Sequence, residues 1–294
     1  MKKINIAIKN KTKLTKYLEE KYDVTYYTKP SLLSKLFSKN KQDPDIYFHQ
    51  GSVNSKNLPL IEKSKITIVN TNGMKNEILE KYPNIEAKKI QILYPYVTNN
   101  IEYDEDIKKD FREKYNISDD TRIIYFTAKD LNAGGVKKFL KIISELEEKN
   151  FKVLIDGDEK QIEQLKILIN RLKIDYQIIL LCDHKNKDEL FISSDIFILP
   201  TKQKVYTPNI LKAMYFKNAV FIPTSNYTSE IIDTFSIMNS PDDPSTAFKT
   251  GALLSSENEL KQIQNLNSNM SKSFSFESRA DIIKSIINSI SEKD

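Results

Sequence analysis

The chain of 294 residues is poor in the residue types that form disulfides and zinc sites. It contains one cysteine, Cys182, and two histidines. A single cysteine cannot form an internal disulfide, and three residues of these types are too few for an ordinary structural zinc site. We therefore expect neither a disulfide framework nor a bound metal ion.

Long apolar segments are also missing. Hydrophobic residues make up 39% of the chain, and no run approaches the roughly 20 residues that a helix needs to cross a bilayer. The start, Met1 to Lys9, has some features of a signal peptide, but its apolar residues alternate with polar ones as in a strand. We expect a cytoplasmic protein, with the membrane surface as a second location.

The sequence has a net charge of +5, but the lysines are spread along the chain and no nucleic-acid-binding motif occurs. We therefore expect no nucleic-acid partner. An anionic lipid surface or a phosphorylated acceptor is the expected use of the charge. An AT-rich genome would explain the many Lys, Asn and Ile residues equally well.

Three common catalytic patterns do not occur. We find no Ser-His-Asp arrangement, no Walker motif and no Gly-x-Gly-x-x-Gly. These patterns support hydrolase, nucleotide triphosphatase and dinucleotide-binding assignments respectively. Hydrolase and kinase functions therefore have no support in the sequence.

The most informative stretch runs from Ser194 to Pro223 and predicts a strand, a loop, a helix and a strand. Ile196 to Leu199 is a short apolar run ended by a proline, which is typical of a buried parallel strand. Thr207 before Pro208 predicts a helix start, in which the Thr hydroxyl accepts a hydrogen bond from the first turn. Loops of this kind bind anions in α/β folds. Phosphate is therefore the first candidate ligand.

Short strands alternate along the chain with helices of about ten residues, and this alternation indicates doubly wound parallel sheets. We predict strands at residues 3–8, 24–27, 44–49, 65–70, 90–97, 122–126, 151–156, 177–181, 196–199 and 220–222. Predicted helices occupy residues 14–22, 31–38, 58–64, 73–82, 107–115, 136–149, 162–172, 187–191, 208–216, 244–254, 257–266 and 277–291. The predicted domains are 1–100, a linker at 101–120, 121–275, and a C-terminal helix within 276–294 that packs back towards the first domain.

Several segments resemble one known family. Asp195-Ile-Phe-Ile-Leu-Pro and Leu211-Lys-Ala-Met are similar to the donor-nucleotide segment of the retaining GT-B glycosyltransferases of the family-4 type, usually Ala-Asp-Val-Phe-Val-Leu-Pro-Ser and Leu-Glu-Ala-Met. Further matches begin at Phe126, Val153 and Phe274. The resemblance covers most of the chain beyond residue 44. It implies an α/β GT-B fold, in which two Rossmann-like domains face a central cleft closed by a C-terminal helix.

The same resemblance implies transfer of a sugar from a nucleotide-sugar donor, with no cofactor, in polysaccharide or glycoconjugate biosynthesis. The two motif glutamates of the family fall on Lys204 and Lys212. In the family, the second glutamate holds the ribose hydroxyls and the first lies near the donor sugar, and a lysine cannot take these roles. Both ammonium groups would instead converge on an anion at the start of the helix.

Further donor contacts are implied residue by residue. Lys129 keeps one of the two cations that grip the donor diphosphate in the family, while the second falls on Gly134; a solvated loop charge is the alternative for Lys129. Gly134 and Gly135 permit close backbone approach or positive φ, although a plain turn explains them as well. The remaining nucleotide-binding candidates are Gly157, Cys182, Asp183, Tyr206, Thr207, Asn209 and Glu230. Cys182 and Asp183 match the position where relatives read the base, and Glu230 has a structural role near a helix N-terminus as its alternative.

His49 is the catalytic candidate. It follows an apolar strand and precedes Gly51, where many relatives carry the histidine of the acceptor domain, and its imidazole would orient or deprotonate an acceptor hydroxyl. The glycine-rich loop of the family is missing here, with Lys9-Asn-Lys-Thr-Lys in its place. A hydrogen-bonded loop histidine is the alternative.

Two functional hypotheses follow. The first is a metal-independent, retaining glycosyltransferase acting on a glycan or lipid-linked acceptor at the inner membrane surface. The second, motivated by the loss of both glutamates, is a catalytically degenerate relative that serves as a scaffold for a partner glycosyltransferase. Binding of a nucleoside diphosphate would favour the first hypothesis.

Overall fold

The computed structural model describes residues 1–27, 42–99, 101–172 and 178–291. The predicted helix at residues 31–38 lies outside this part of the chain. The chain divides into two compact units: unit 1 comprises Met1–Tyr96 with Phe274–Asp294, and unit 2 comprises Val97–Ser273. Each unit is built around a parallel sheet with helices, so the predicted α/β class is confirmed.

The elements alternate as the sequence predicts. The strands are β1 (Lys3–Ala7), β2 (Asp23–Tyr26), β3 (Ile46–Phe48), β4 (Ile66–Val69), β5 (Ile90–Ile92), β6 (Arg122–Thr127), β7 (Phe151–Gly157), β8 (Ile178–Cys182), β9 (Ile196–Ile198), β10 (Ala219–Pro223) and β11 (Ile237–Met238). The helices are α1 (Lys13–Lys21), α2 (Leu58–Lys63), α3 (Asn72–Lys81), α4 (Glu105–Lys114), α5 (Leu131–Gly134), α6 (Val136–Ser144), α7 (Glu159–Leu172), α8 (Lys187–Ser193), α9 (Pro208–Tyr215), α10 (Ser245–Ser255), α11 (Glu257–Lys272) and α12 (Phe276–Ser291).

Some predicted boundaries are wrong. The helix predicted to reach residue 149 ends at Ser144, and the fifth strand ends at Ile92 instead of residue 97. The short helix α5 and the two-residue strand β11 were not predicted. Such short elements lack the repeated apolar spacing on which sequence prediction depends.

Unit 1 contains a five-stranded sheet in the order β2-β1-β3-β4-β5, with every adjacent pair parallel. Successive residues of a strand point to opposite faces. In β3, Ile46 and Phe48 accordingly enter one hydrophobic core, whereas Tyr47 enters a second. The sheet of unit 1 is thus covered on both faces, as is typical of parallel sheets.

Helix α12 belongs to the core of unit 1. Its apolar stripe consists of Ile283, Ile286, Ile287 and Ile290, at the spacing of one helical face. These side chains share a core with Ile6 of β1 and Leu18 of α1. Residues from the two ends of the described chain therefore complete one core.

Unit 2 contains a six-stranded sheet in the order β11-β10-β9-β6-β7-β8, again with parallel pairs. From β6 the chain builds outward on one side through β7 and β8, and then returns to add β9, β10 and β11 on the other. The strand order therefore reverses between β6 and β9. In open α/β sheets, ligands bind at the carboxyl ends of the strands at such a reversal.

Asp195 fixes the opposite, amino-terminal edge of this sheet. Its carboxylate is 1% exposed and accepts hydrogen bonds from the Ile123 N–H at 2.8 Å, Lys108 Nζ at 2.8 Å and Arg112 Nη2 at 3.4 Å. Both cations lie on α4, within the segment predicted as a linker. One buried acid therefore connects α4 to the first residues of β6 and β9.

In the described residues, no helix is long and apolar enough to cross a membrane.

Replacing Asp195 tests this connection. We expect Asp195→Asn to lower the free energy of unfolding by about 3 kcal/mol, because two cations would lose their buried counter-charge. Urea unfolding measures the loss. Asp110→Asn, on the exposed side of α4, is the matched control and should change little. Similar losses in the two variants would contradict the role of Asp195.

Candidate functional site

The loops that follow β6 and β9 are in direct contact at the strand-order reversal. Gly135 has a φ of +93°, and a Cβ at this position would lie 2.2 Å from the carbonyl oxygen of Pro200. The Thr201 hydroxyl donates a hydrogen bond to the Ala133 carbonyl at 2.9 Å. Gly135 thus needs both the positive φ and the close backbone approach that the sequence analysis considered.

Two more glycines, Gly134 and Gly157, lie where a side chain would clash with a neighbouring residue. A Cβ on Gly134 would lie 2.5 Å from the Ala128 Cβ, and one on Gly157 would lie 2.9 Å from Leu131 Cδ1. Neither distance is compatible with an ordinary contact. At Gly134 and Gly157, the loop after β6 and the end of β7 therefore pack too closely for a side chain to fit without a local shift.

Lys129 lies in the loop between β6 and α5. Its side chain is exposed and forms no ion pair with any residue that the structure describes. The loop itself is held by its neighbours: Asp130 accepts a hydrogen bond from the Ala133 N–H at 2.9 Å, and Gln161 Nε2 donates to the Lys129 carbonyl at 3.2 Å. An exposed cation is thus placed at the carboxyl end of β6.

The loop from β9 leads into α9, which begins at Pro208 as predicted. The predicted capping by Thr207 is wrong, since its hydroxyl makes no hydrogen bond to the first turn. The hydroxyl instead accepts a hydrogen bond from Asn226 Nδ2 at 3.0 Å, and Asn226 Nδ2 also donates to the Gln203 carbonyl at 3.1 Å. Asn226 is fully buried and follows β10 in the chain, and its side chain holds the loop before α9 in place.

Lys204 and Lys212 have different environments. Lys204 is exposed in the loop before α9. Lys212 lies in the second turn of α9, where its Nζ is 2.5 Å from Asp188 Oδ1 on α8. Asp188 is completely buried, so the ammonium of Lys212 serves as its counter-charge. The expected convergence of both lysines on one anion is therefore not what the structure shows.

Asp156, at the carboxyl end of β7, connects neighbouring strand ends and loops of the site. Its carboxylate is fully buried, lies 2.7 Å from Lys187 Nζ, and accepts a hydrogen bond from the His184 N–H at 3.3 Å. The Thr127 hydroxyl at the end of β6 donates to the Asp156 carbonyl at 3.0 Å. The ends of β6 and β7 and the loop after β8 are thereby held together.

The loop after β8 carries the two candidates for base contact. Cys182 is exposed, and Asp183 has a φ of +48°. The Asp183 N–H donates a hydrogen bond to the Gly157 carbonyl at 2.9 Å. His184 Nε2 lies 3.0 Å from Glu189 Oε2, so this histidine has a structural contact on α8.

The other candidates lie around the start of α9 and beyond β10. Tyr206 and Asn209 are half-buried and flank Thr207 and Pro208 in sequence. Glu230 is exposed in the 3-10 helix Tyr227–Ile231. The roles of Tyr206, Asn209 and Glu230 in nucleotide binding stay predictions.

Asp156, Asp188 and Asn226 were missed in the sequence analysis. A weak signal exists for two of them, because Asp156 interrupts the apolar run of β7 and Asn226 precedes Thr228 at the spacing of an Asx turn. The Asn226 Oδ1 does accept a hydrogen bond from the Thr228 N–H at 3.0 Å. No sequence signal joins Asp188 to Lys212, which lies 24 positions further along the chain.

His49 lies in unit 1, directly after β3. It is 3% exposed, and its Nδ1 lies 3.2 Å from the Tyr47 hydroxyl. Among the residues that the structure describes, Nε2 has no hydrogen-bond partner. Burial lowers the pKa of His49, an effect partly offset by the Gly51 backbone and the charge of Glu77. The lowered pKa favours the neutral imidazole, the state in which it accepts a proton.

Metal ligands do not cluster in the described part of the chain. There, no group of three or more His, Cys, Asp or Glu side chains is arranged to hold an ion. Three buried aspartates of unit 2, Asp156, Asp188 and Asp195, are instead paired with lysine or arginine.

Comparison with known families identifies the chain. Residues 107–284 match the family model described as glycosyl transferases group 1. The chain belongs to this family. The match extends from α4 into α12 and includes all six strands of the unit 2 sheet. A search of curated protein sequences gave no match.

Three solved structures are similar over nearly the whole chain. A glycosyltransferase from Rickettsia africae is 17% identical, with a TM-score of 0.73, and the match covers 96% of this chain and 80% of that one. WaaG, a glycosyltransferase involved in lipopolysaccharide biosynthesis, is 15% identical, with a TM-score of 0.67 and coverage of 94% and 85%. HepE from Anabaena, in complex with UDP, is 10% identical, with a TM-score of 0.76 and coverage of 98% and 100%. The predicted GT-B fold, with two Rossmann-like domains, is confirmed, and the chain is a glycosyltransferase by family and fold.

The contact at Gly135 generates a first prediction for the site. We expect Gly135→Ala to lower the free energy of unfolding by at least twice as much as Gly51→Ala, as measured by urea unfolding. Both positions have positive φ, which costs a residue with a side chain about 1 kcal/mol, but a Cβ at Gly51 meets no atom within 4 Å. Equal losses would show that the backbone at Pro200 shifts to accommodate the added Cβ with no cost in free energy.

The two lysines generate a second prediction. Lys212→Met should lower the free energy of unfolding by about 3 kcal/mol, since the buried Asp188 carboxylate would lose its cation. Lys204→Met removes the same charge from an exposed position and should leave stability unchanged within about 0.5 kcal/mol. Thermal unfolding of the two variants side by side makes the comparison. A stable Lys212→Met variant would refute the structural role of this lysine.

Proposed function

We propose that this glycosyltransferase moves a sugar from a nucleotide-sugar donor to a glycan or lipid-linked acceptor, with retention and without a metal ion. The observation that carries the proposal is the reversal of strand order at the carboxyl ends of β6 and β9. There, Gly135 lets two loops meet, and the exposed Lys129 and Lys204 each lie in one of them. Crevices at such strand-order reversals are the usual ligand sites of open α/β sheets.

The comparisons suggest which donor to test first. HepE has been solved with UDP and with UDP-glucose. These complexes support UDP and its sugar derivatives as the first candidates for this chain. The base would contact Cys182 and Asp183 after β8, and the ribose and phosphates would lie towards Gly134, Gly157, Tyr206, Asn209 and Glu230.

Charge stabilisation would come from the protein itself. Cleavage of the donor leaves a diphosphate with growing negative charge, and fixed positive groups at that point lower the barrier. Lys129, Lys204 and the N-terminal turn of α9 would supply them, which is the role that divalent metals have in other transferases. Lys212 would contribute only indirectly, because its ammonium is held by Asp188.

Recognition of the nucleotide would depend on the diphosphate more than on the ribose. An ammonium donates hydrogen bonds but cannot accept them, so Lys204 and Lys212 cannot hold ribose hydroxyls as carboxylates do. Exposed charge pairs are screened over about 8 Å at physiological ionic strength. UDP affinity should therefore fall steeply with salt and depend little on the 2′-hydroxyl.

A degenerate relative that acts as a scaffold for a partner glycosyltransferase is the second candidate. It is favoured by one observation, the pairing of Lys212 with the buried Asp188. A position that holds ribose in the family is here part of the packing between two helices. This candidate requires weak or absent nucleotide binding.

Calorimetry with UDP, GDP, ADP and CMP, followed by donor hydrolysis and transfer assays, tests the proposed function. We expect submillimolar affinity for at least one of the four and a loss of about tenfold in Lys129→Ala and in Lys204→Glu. Lys166→Ala, an exposed lysine of α7, is the control and should bind as the native chain does. If no nucleotide binds, the scaffold hypothesis replaces the proposed function; unchanged turnover in Lys129→Ala would remove that residue from the phosphate site.

A further inference from the structure

Unit 2 has a cavity of about 300 Å³ at the amino ends of its strands, on the edge of the sheet opposite the candidate donor site. β6 contains six residues, so about 20 Å of strand separates the two edges. The volume is within the range of pockets for small molecules, which begins at roughly 300 Å³. Three cavity residues stand side by side, each two positions before a paired residue of β6, β9 or β10: Arg122, Ser194 and Lys217.

Arg122 brings a guanidinium with few partners to this cavity. Its side chain is 19% exposed, and its Nη2 lies 4.0 Å from Glu257 Oε2, which is too long for a hydrogen bond. Glu257 is held more closely by Lys261, at 2.6 Å. Within the described ranges of the chain, the Arg122 guanidinium makes no hydrogen bond. A guanidinium carries five N–H donors, so those of Arg122 are available to a ligand.

Lys217 occupies a position that usually belongs to glycine. It follows the last turn of α9 with a φ of +59°, and the Asn218 N–H donates to the Ala213 carbonyl, as in the Schellman ending of a helix. A side chain is strained in this left-handed backbone. The Lys217 ammonium lies 4.0 Å from the centre of the Tyr103 ring and forms no ion pair with a residue that the structure describes. A second cation without a carboxylate partner is therefore fixed in the cavity wall.

Acidic side chains also line the cavity, namely Glu105, Asp195 and Glu257. Each of the three already has a partner. The carboxylate of Asp195 is held by the two cations of α4, and that of Glu257 by Lys261. Glu105 accepts a hydrogen bond from the Tyr103 hydroxyl at 2.6 Å. These acids are thus engaged by their own neighbours and do not neutralise Arg122 and Lys217 at close range.

The balance of charge in this cavity is positive. Its lining contains four cations, which are Lys108, Arg122, Lys217 and Lys261. Arg112 adds a fifth positive charge through its contact with Asp195. Five cations against the three acids leave an excess of two positive charges. A phosphate monoester carries about −1.5 to −2 at pH 7, so one such group would neutralise the excess.

We propose that this cavity binds a phosphate group, as the free ion or as the monoester of a small metabolite, between Arg122 and Lys217. The planar fork of arginine makes two parallel hydrogen bonds to phosphate, and lysine adds a point charge. Asn265, also in the lining, offers an amide to a hydroxyl of the ester. The site goes beyond the proposed function, because the donor diphosphate would lie at the other edge of the sheet.

Calorimetric titration of the full chain with inorganic phosphate, glucose 6-phosphate and glucose tests the site. We expect submillimolar binding of at least one phosphate probe and no binding of glucose, and the tighter probe shows whether the free ion or the ester fits. Lys217→Gly should weaken this binding at least tenfold, and the variant should fold, since glycine suits the left-handed backbone. Lys217→Arg, which keeps the charge, should bind within about twofold of the native chain. Native affinity in Lys217→Gly, or no binding of either phosphate probe, would overturn the proposal.

Arg122 provides a second variant. Arg122→Lys preserves the charge and should bind the tighter phosphate probe several-fold more weakly, because lysine lacks the two-pronged geometry. Lys166→Ala, at an exposed position of α7, is the control and should bind the probe as the native chain does. Unchanged affinity in Arg122→Lys contradicts the role of the guanidinium.

The donor site could also bind phosphate, so Lys129→Ala is measured in parallel. We expect it to bind the phosphate probe with native affinity, whereas Lys217→Gly should bind UDP with native affinity. Loss of phosphate binding in Lys129→Ala and not in Lys217→Gly would place the ion at the donor site and refute this inference, with the proposed function left standing. Phosphate binding that depends on Lys217, in a chain that binds no nucleotide, would support this inference and refute the proposed function.

Discussion

The site in unit 2 depends on the absence of a side chain at Gly135. β6 and β9 are neighbours in the sheet, and the chain that leaves each of them must turn towards a different part of the unit while the two loops stay in contact. A Cβ at this position would lie 2.2 Å from the Pro200 carbonyl oxygen. The contact fixes the loop of Lys129 against the loop of Lys204, and the candidate phosphate cations owe their common location to it.

Buried aspartates have the complementary task of holding cations in the framework. Asp156, Asp188 and Asp195 are at most 1% exposed, and each accepts a lysine, with Arg112 as a further partner of Asp195. A buried carboxylate is tolerated only with such partners. The lysine-rich composition therefore has two meanings, since lysines such as Lys212 are structural while exposed ones such as Lys129 and Lys204 can meet a ligand.

The fold was predictable because it follows from local patterns. Apolar runs of strand length and amphipathic helices determine the βα alternation, and Pro208 determines the start of α9. Contacts between distant residues were not predictable. The Thr207 hydroxyl was expected to cap α9, but Asn226, 19 positions later, donates to it. In the same way, no local pattern reveals that Lys212 pairs with Asp188 or that Asp156 joins the ends of β6 and β7 to the loop after β8. The sequence therefore drew attention to the glycines and to Lys129, and the buried anchors were missed.

The place of α12 has a consequence for biosynthesis. The core of unit 1 needs Ile283, Ile287 and their neighbours, yet the ribosome makes these residues only after all of unit 2. During translation, unit 2 is complete while the sheet of unit 1 still has an uncovered apolar face. Domains generally fold as units during synthesis, and exposed apolar surface promotes aggregation. The nascent chain should therefore acquire unit 2 first, although unit 1 emerges first, and ribosome-bound intermediates should need chaperone protection at the N-terminal sheet until α12 arrives.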